Sequence, residues 1–383
     1  MSASRILVVG AGFSGAVIAR ELAEKLDHPI LVLEARDHVA GNCHTERDAK
    51  TGVMLHKYGA HIFHTPREDV WNYVRRYSEF GPYLHRVRAS TPRGVFGLPL
   101  NLMTINHFFG RRFSPAEAEA HIATLADSTI GEPRNFEEQA LKFVGRELYD
   151  TFFYGYTKKQ WGCEPRELSA SILKRLPVRF NYDDSYFGDR FQGIPVDGYT
   201  AIIERLLAHE KIEVKLGTPW QAGLGAEFAH VIFTGPIDHY YNHRFGRLGY
   251  RTMFWDQSTH RGDYQGTSVM NYPDPAVPYT RVVEHKHFAP WESHEQTAVF
   301  TEFSKETTET DVPFYPKSLA PDKVLLAKYL ELARNETQVS FLGRLATYRY
   351  LDMHQVVAEA LDFAPALAAA IREKQPRPVL PKW

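Results

Sequence analysis

The sequence predicts a mixed α/β (α+β) fold in which a nucleotide-binding domain carries a helical-bundle subdomain and an antiparallel-sheet subdomain. Three observations predict it. The opening "RILVVGAGFSGAVIAR" is an apolar run broken at spaced glycines; residues 115–161 repeat apolar side chains at helical spacing; residues 179–199 and 250–303 alternate aromatic or β-branched residues with polar ones. At 383 residues with 44% hydrophobic content the chain is long enough for a large core and two or three domains. Lys and Arg number 45 against 46 Asp and Glu. No global field therefore marks the chain for nucleic acid or an anionic membrane, and an anionic ligand must be met by local charge. Only Cys43 and Cys163 are present. With no cleavable leader, this fits a reducing cytoplasm, although one bridge stays open.

The first element is a buried strand over residues 5–9. Gly10 makes the tight turn, Gly12 lets the backbone approach a pyrophosphate and Gly15 lets the following helix pack on the sheet, whose N-terminal N–H groups then face phosphates. A secretory h-region competes for residues 6–19. The run is too short to span a bilayer, is broken by three glycines, and is followed by an amphipathic turn in which Arg20, Glu21, Glu24 and Lys25 oppose Val17, Ile18 and Leu22. A Rossmann-like βα unit explains it better. The second strand, Ile30–Leu33, ends in Glu34, 19 residues beyond Gly15, where an acid takes ribose hydroxyls. This pattern does not separate NAD from FAD. Gly41 and Asn42, in a turn after that strand, tilt the balance to an extended FAD, and no second Gly-x-Gly-x-x-Gly provides a separate NAD(P) domain.

Further along, Asn135 with Glu138 reads as a helix N-cap and capping box, with Leu141, Val144, Leu148 and Phe152 on one face. Residues 231–238 read as a buried strand ending in a Gly-Pro turn that returns the chain to the first sheet. Residues 340–361 read as strand, turn, then a helix from about Asp352. The expected domains are residues 1–79 with 193–244 and 337–383 for the cofactor, 80–150 for the helical subdomain, and 151–192 with 245–336 for the sheet and the substrate.

Three residue groups carry chemistry. "HKYGAHIFHT" brings His56, His61 and His64. Their spacing matches no common zinc pattern, which leaves histidines packed in a loop or a loop lying along a flavin ring. "FFYGYTKKQWG" offers Phe153, Tyr156 and Trp161 as flat rings for a base, whereas core packing alone explains Phe152 and competes for Phe153. Arg175 and Arg179 flank Pro177, and a guanidinium fork suits a diphosphate, against a pair of solvated surface arginines. Arg281, Tyr315 and Tyr350 are ordinary strand residues taken singly, and convergence in space would make them a site.

These residues carry a resemblance. Over nearly its whole length the chain resembles bacterial UDP-galactopyranose mutases, in "VGAGFSGAV", "HKYGAHIFHT", "GYTKKQWG", "RFQGIPVDGYT", "FTGPID", "VPYTR", "EHKHF" and "YLDMHQV". The resemblance implies FAD as cofactor, active when reduced, with NAD(P)H or another reductant needed transiently. It implies interconversion of UDP-galactopyranose and UDP-galactofuranose through nucleophilic flavin N5 with no net oxidation. A cytoplasmic homodimer without a membrane span, serving cell-surface polysaccharide synthesis, is implied too.

By the same resemblance, Gly10, Gly12, Phe13, Ser14, Gly15, Glu34, Ala35, Gly41 and Asn42 surround FAD, with His61, Ile62, Arg344, Leu351, Asp352 and Met353. His64 acts beside the isoalloxazine. Phe152, Phe153, Tyr156, Thr157 and Trp161 hold the uridine. Arg175 and Arg281 clamp the diphosphate with Tyr186, Tyr315 and Tyr350, and Asn271 lies near the nucleotide sugar. No metal is expected. The chain departs from the family pattern at Ala40, where a glycine is common, and at His85, where an asparagine is common. His85 leaves room for a related nucleotide sugar. The rivals are a hydride-transferring flavin oxidoreductase and a non-catalytic relative of the fold.

Overall fold

Five parallel strands form the first layer, in the order Ile212–Lys215, Ile30–Leu33, Ile6–Val9, His230–Phe233, Val339–Phe341. By sequence this is 3-2-1-4-5, the arrangement that opens a crevice at the carboxyl end of the central strand. This computed structural model describes residues 5–175 and 178–382, with the side chains of Lys174 and Arg175 outside that description. Strands Ile6–Val9 and Ile30–Leu33 are apolar throughout because helices cover both faces. Helix Phe13–Lys25 packs between Gly198–Leu207 and the long Met353–Glu373, and the opposite face carries Ala320–Arg334.

The glycine turn is built as the spacing requires. Gly10 has φ +103°, and a Cβ added at Gly15 would lie 1.8 Å from the Gly10 carbonyl oxygen. Gly15→Ala is therefore expected to push the helix off the strand, costing about 3 kcal/mol as an overpacking change. Thermal denaturation and the dinucleotide content of the purified variant check this; wild-type values for both would contradict it.

The second layer is a seven-stranded sheet in the order Tyr315–Pro316, Tyr250–Arg261, Gln296–Glu306, Arg281–Glu284, Val269–Asn271, Val87–Thr91, Gly94–Leu98. All its pairs are antiparallel except Val269–Asn271 with Val87–Thr91. Helices Leu102–Phe109, Pro115–Leu125, Phe136–Leu148 and Gly155–Trp161 pack beyond its edge around Phe96, Phe108, Phe136 and Leu148. Both cysteines are free, and no helix among the described residues is long and apolar enough to cross a membrane.

Four expectations are corrected. Residues 80–98 are not helical: Phe80–Gly81, Val87–Thr91 and Gly94–Leu98 are strands, and helices begin at Leu102. Val87–Thr91 and Gly94–Leu98 form a local hairpin, while the strands that take them into the larger structure, Val269–Asn271 beside Val87–Thr91 and Phe191–Pro195 beside Phe80–Gly81, are distant in sequence. Residues 179–190 form no strand; Arg179, Asp183 and Ser185 tie them into a loop, and only Phe191–Pro195 pairs. The strand read over 231–238 is shorter, His230–Phe233, and Ile237–Tyr240 is already helical. Finally, the face from Leu141 to Phe152 is not one continuous helix. Gly145 has φ 77° and ψ 174°, and Tyr149–Tyr154 is a π-helical segment, yet Val144, Leu148 and Phe152 still share one core.

Candidate active site

A cavity of about 630 Å³ opens at the carboxyl end of the parallel sheet. Gly10, Gly12, Phe13, Ser14, Glu34, Ala35, Gly41, Asn42, His61, Arg344, Leu351 and Met353 line it, all of them expected from the sequence. Of the remaining cofactor candidates, Gly15 lies beneath the turn, Ile62 is buried in the core near Leu55 and Ile194, and Asp352 is the N-cap of Met353–Glu373. The lining also includes Arg36, Thr218 to Trp220 and Thr234 to Pro236.

Its chemistry is that of a dinucleotide site. Helix Phe13–Lys25 has no side-chain cap at Gly12, leaving its first N–H groups open to an anion. Glu34, 7% exposed, accepts from the Ala11 N–H (2.8 Å) and the Arg36 N–H (3.1 Å), which fixes its carboxylate at the turn. The Arg36 guanidinium stacks over Tyr58 and donates to Asn42 Oδ1 (2.6 Å), while its Nη1 is buried without a partner. A buried donor of that kind calls for a negative group. Gly41 approaches the Gly12 backbone closely, and Ala40 holds φ +76° with its methyl fully buried. These residues fit an extended dinucleotide such as FAD.

The antiparallel sheet delivers the second half of the site. Register pairs Trp255 with Glu302, Glu302 with Arg281, and Arg281 with Asn271, a row across four neighbouring strands. Glu302 is 1% exposed and accepts from Arg281 Nη2 (2.8 Å), with Arg281 Nε at ion-pair distance (2.7 Å); Trp255 Nε1 (3.3 Å) and Thr280 Oγ1 (3.2 Å) donate to the same carboxylate. Burial opposes the Arg281 charge, but Glu302 outweighs it and holds the guanidinium well above its usual range. Asn271 Oδ1 is buried with no partner.

The histidine loop joins the two halves. A Cβ on Gly59 would lie within 3.6 Å of Arg281 Nη2 and 3.5 Å of Glu302 Oε2, so the loop passes directly over the ion pair. His61, which lines the cavity, is lowered to about 4 by burial, with the Arg344 and Arg281 cations adding to the effect. His56 is not a ligand candidate in practice: it stacks on Phe288 and its Nδ1 accepts from the His61 N–H. His64 stacks on Phe187 at 3.7 Å, and its Nδ1 donates to Asp189 (2.5 Å). Ligand atoms of His64, Asp352 and His354 lie within 4.8 Å of one another, placing the helix N-cap beside this ring.

His85, also buried, stacks on Phe187 and meets Tyr186 edge-on. Its Nδ1 contacts Tyr83 Oη (3.1 Å), which bonds Ser268 (2.7 Å). Burial, aided by Arg281 and His64, lowers it to about 3, so it is neutral at working pH.

Helix Gly155–Trp161 brings the aromatic wall. Arg251 Nε (3.0 Å) and Ser304 Oγ (2.7 Å) donate to the Gln160 carbonyl and fasten its end to the sheet. Tyr315 and Tyr350 stack at 5.4 Å, with Trp161 tilted against both and Arg344 over their rings. Burial raises the Tyr156 and Tyr315 phenols, so both remain O–H donors. Phe153 and Thr157 are buried at this wall.

Phe152 does not belong to the wall: it packs on Phe96 and Phe108 in the helical core, because the π-helical segment turns it inward. Arg179 is also occupied, by Asp183 and the Ser185 carbonyl. Arg175 ends the 3-10 helix Ala170–Arg175, and its side chain lies outside the described residues. Sequence reasoning missed Glu302, Trp255, Arg36, Phe187 and Asp189. For Glu302 a signal existed, an acid in the otherwise apolar and hydroxylic strand "AVFTEFS".

Comparison with known proteins bears on this arrangement. The family described as UDP-galactopyranose mutase matches residues 151–350, and an NAD(P)-binding Rossmann-like domain matches residues 8–77. A probable UDP-galactopyranose mutase of Klebsiella pneumoniae is 52% identical, over 99% of this chain and 98% of that protein. A dTDP-fucopyranose mutase of Escherichia coli is 50% identical, over 94% of this chain and 97% of its own. Among solved structures, a reduced UDP-galactopyranose mutase superposes with a TM-score of 0.72 at 17% identity, covering 96% of this chain and 97% of that one.

Proposed function

The chain belongs to the UDP-galactopyranose mutase family, and from that premise we propose how its site carries out the isomerisation of UDP-galactopyranose and UDP-galactofuranose, with FAD as cofactor. Reduced FAD supplies a nucleophilic ring nitrogen for the anomeric carbon, with no net redox change and only a transient need for NAD(P)H or another reductant. The protein's own work is placement and charge. Tyr156, Trp161 and Phe153 hold the uridine by stacking and burial. Arg281, oriented by Glu302, faces the diphosphate and stabilises UDP as it departs as an anion, with Tyr315, Tyr350 and Tyr186 as neutral donors. Holding UDP in place keeps it available for return to the recyclised sugar. Arg175 completes the clamp in this reading. His64, held through Nδ1 by Asp189 and stacked on Phe187, lies beside the isoalloxazine in this reading.

The observation that carries the reading is the guanidinium of Arg281, paired with Glu302 beneath the Gly59 turn and acting on His61, which lines the dinucleotide cavity. Dithionite-reduced protein incubated with UDP-galactofuranose is expected to release UDP-galactopyranose, resolved by HPLC. Its absence with flavin bound and reduced defeats the reading. A second reading, a mutase for a related nucleotide sugar, is favoured by the 50% identical fucopyranose mutase and by the neutral His85 at the site. Turnover of a dTDP-linked 6-deoxy sugar in preference to the UDP-sugar in the same assay would select it. The family reading also carries a cytoplasmic homodimer that supplies cell-surface polysaccharide synthesis.

A further inference from the structure

Lys159 is held in an unusual way. Its ammonium donates to four main-chain carbonyls, of Tyr272 (2.6 Å), Asp274 (2.9 Å), Val277 (2.8 Å) and Tyr279 (2.9 Å). Among the described residues no carboxylate comes within ion-pair distance of it. The four carbonyls belong to the loop "YPDPAVPYT", which joins strand Val269–Asn271 to strand Arg281–Glu284 and so lies between two site residues, Asn271 and Arg281. Three prolines leave the loop few N–H groups with which to close itself; it has the Tyr272 N–H to Thr280 carbonyl bond, the Val277 N–H to Asp274 carbonyl bond and the Ala276 N–H to Asp274 Oδ1 bond. Carbonyl dipoles pointed at one spot repel unless a cation stands between them. Helix Gly155–Trp161 fits the loop elsewhere as well: a Cβ at Gly155 would lie 2.1 Å from the Pro273 carbonyl oxygen. The helix and the loop are thus pressed together with Lys159 as the plug.

We propose that Lys159 is a positioning residue: by filling this carbonyl cage it fixes the loop on the helix, and so sets the spacing between Arg281 on the sheet and Tyr156 and Trp161 on the helix. The inference rests on the functional reading above, in which those residues grip the two ends of UDP. The cage is a monovalent-cation site whose occupant is tethered to the chain. Burial lowers the ammonium to about 8, with the Asp274 carboxylate opposing that shift from beyond ion-pair distance.

The test is chemical rescue. Lys159→Ala removes the chain beyond Cβ, a volume that propylammonium refills with its charge in the cage. The alanine variant is expected to bind UDP about tenfold more weakly or worse, by isothermal titration, which corresponds to about 1.4 kcal/mol of lost placement. kcat/KM is expected to fall together with UDP affinity, because Arg281 acts on UDP both bound and departing, and propylammonium is expected to restore both saturably where propanol does not. Unchanged UDP binding in the variant overturns the proposal, and so does a loss that no alkylammonium restores. Lys159→Met, neutral and of similar length, keeps the proposal testable if the alanine variant does not fold: weak UDP binding at a wild-type melting temperature supports it and wild-type binding overturns it. Failure of the wild-type chain itself to bind UDP defeats the functional reading, whereas equal binding by wild type and variant defeats only the role of Lys159.

Discussion

Arg281→Lys is expected to lower kcat/KM by about 10²–10³-fold, about 3–4 kcal/mol of transition-state stabilisation, while leaving the fold and the flavin in place. Lysine keeps the charge but presents a point cation where the sheet holds a planar fork, and the Glu302 carboxylate, gripped from two sides by Trp255 and Thr280, is shaped to orient that fork. Arg281→Ala is expected to abolish turnover, and it costs more than chemistry. It leaves Glu302, 1% exposed, as an unpaired buried carboxylate, a change that destabilises by about 3–5 kcal/mol. Steady-state rates, flavin absorbance and a melting curve on both variants separate the two effects. A lysine variant with wild-type kcat/KM would remove Arg281 from the reaction.

Lowering the pH from 7 to 5 is expected to destabilise the folded chain steeply. Burial lowers His85 and His230 to about 3 and His61 and His285 to about 4, and drives His56 down as well. These imidazoles are neutral in the fold and take up protons at about 6.5 when it opens. Below that pH the unfolded state binds more protons than the native state, so the stability present above about 6.5 is lost as pH falls toward 4. Each such proton contributes about 1.4 kcal/mol per pH unit, and the five together give a slope of up to about 7. Melting temperatures at half-unit steps from pH 8 to 4.5 check this. His230→Asn, far from the site and bonded in the wild type to Ser340 (2.8 Å), is expected to lower the slope by about one proton. Equal melting temperatures at pH 7 and 5 would contradict the account.

The cofactor half of the site was almost wholly legible in the sequence, because its determinants are local. Gly10, Gly12, Gly15 and Glu34 work through a turn, a close approach and one strand end, all within a stretch of chain short enough for spacing to carry the geometry. Departures from expectation arose where the partner is remote. Residues 80–98 were assigned to the helical subdomain, although Val87–Thr91 and Gly94–Leu98 form a hairpin that joins the large sheet through Val269–Asn271, a strand much later in the chain. Phe152 was placed on the substrate wall because residue type cannot tell which way a π-helical turn rotates a ring. The resemblance named Arg281 but gave no account of Glu302, whose role depends on lying opposite it across two strands.

By itself the sequence determined the βα unit, the dinucleotide chemistry of its turn and the family to which the chain belongs, since each of these is written in residue type and short-range spacing. Only the tertiary structure decided that Trp255, Glu302, Arg281 and Asn271 form one row beneath the Gly59 turn, and that Lys159 closes the loop between two of them. Sheet register and carbonyl convergence couple residues far apart in the chain, and no local periodicity encodes either.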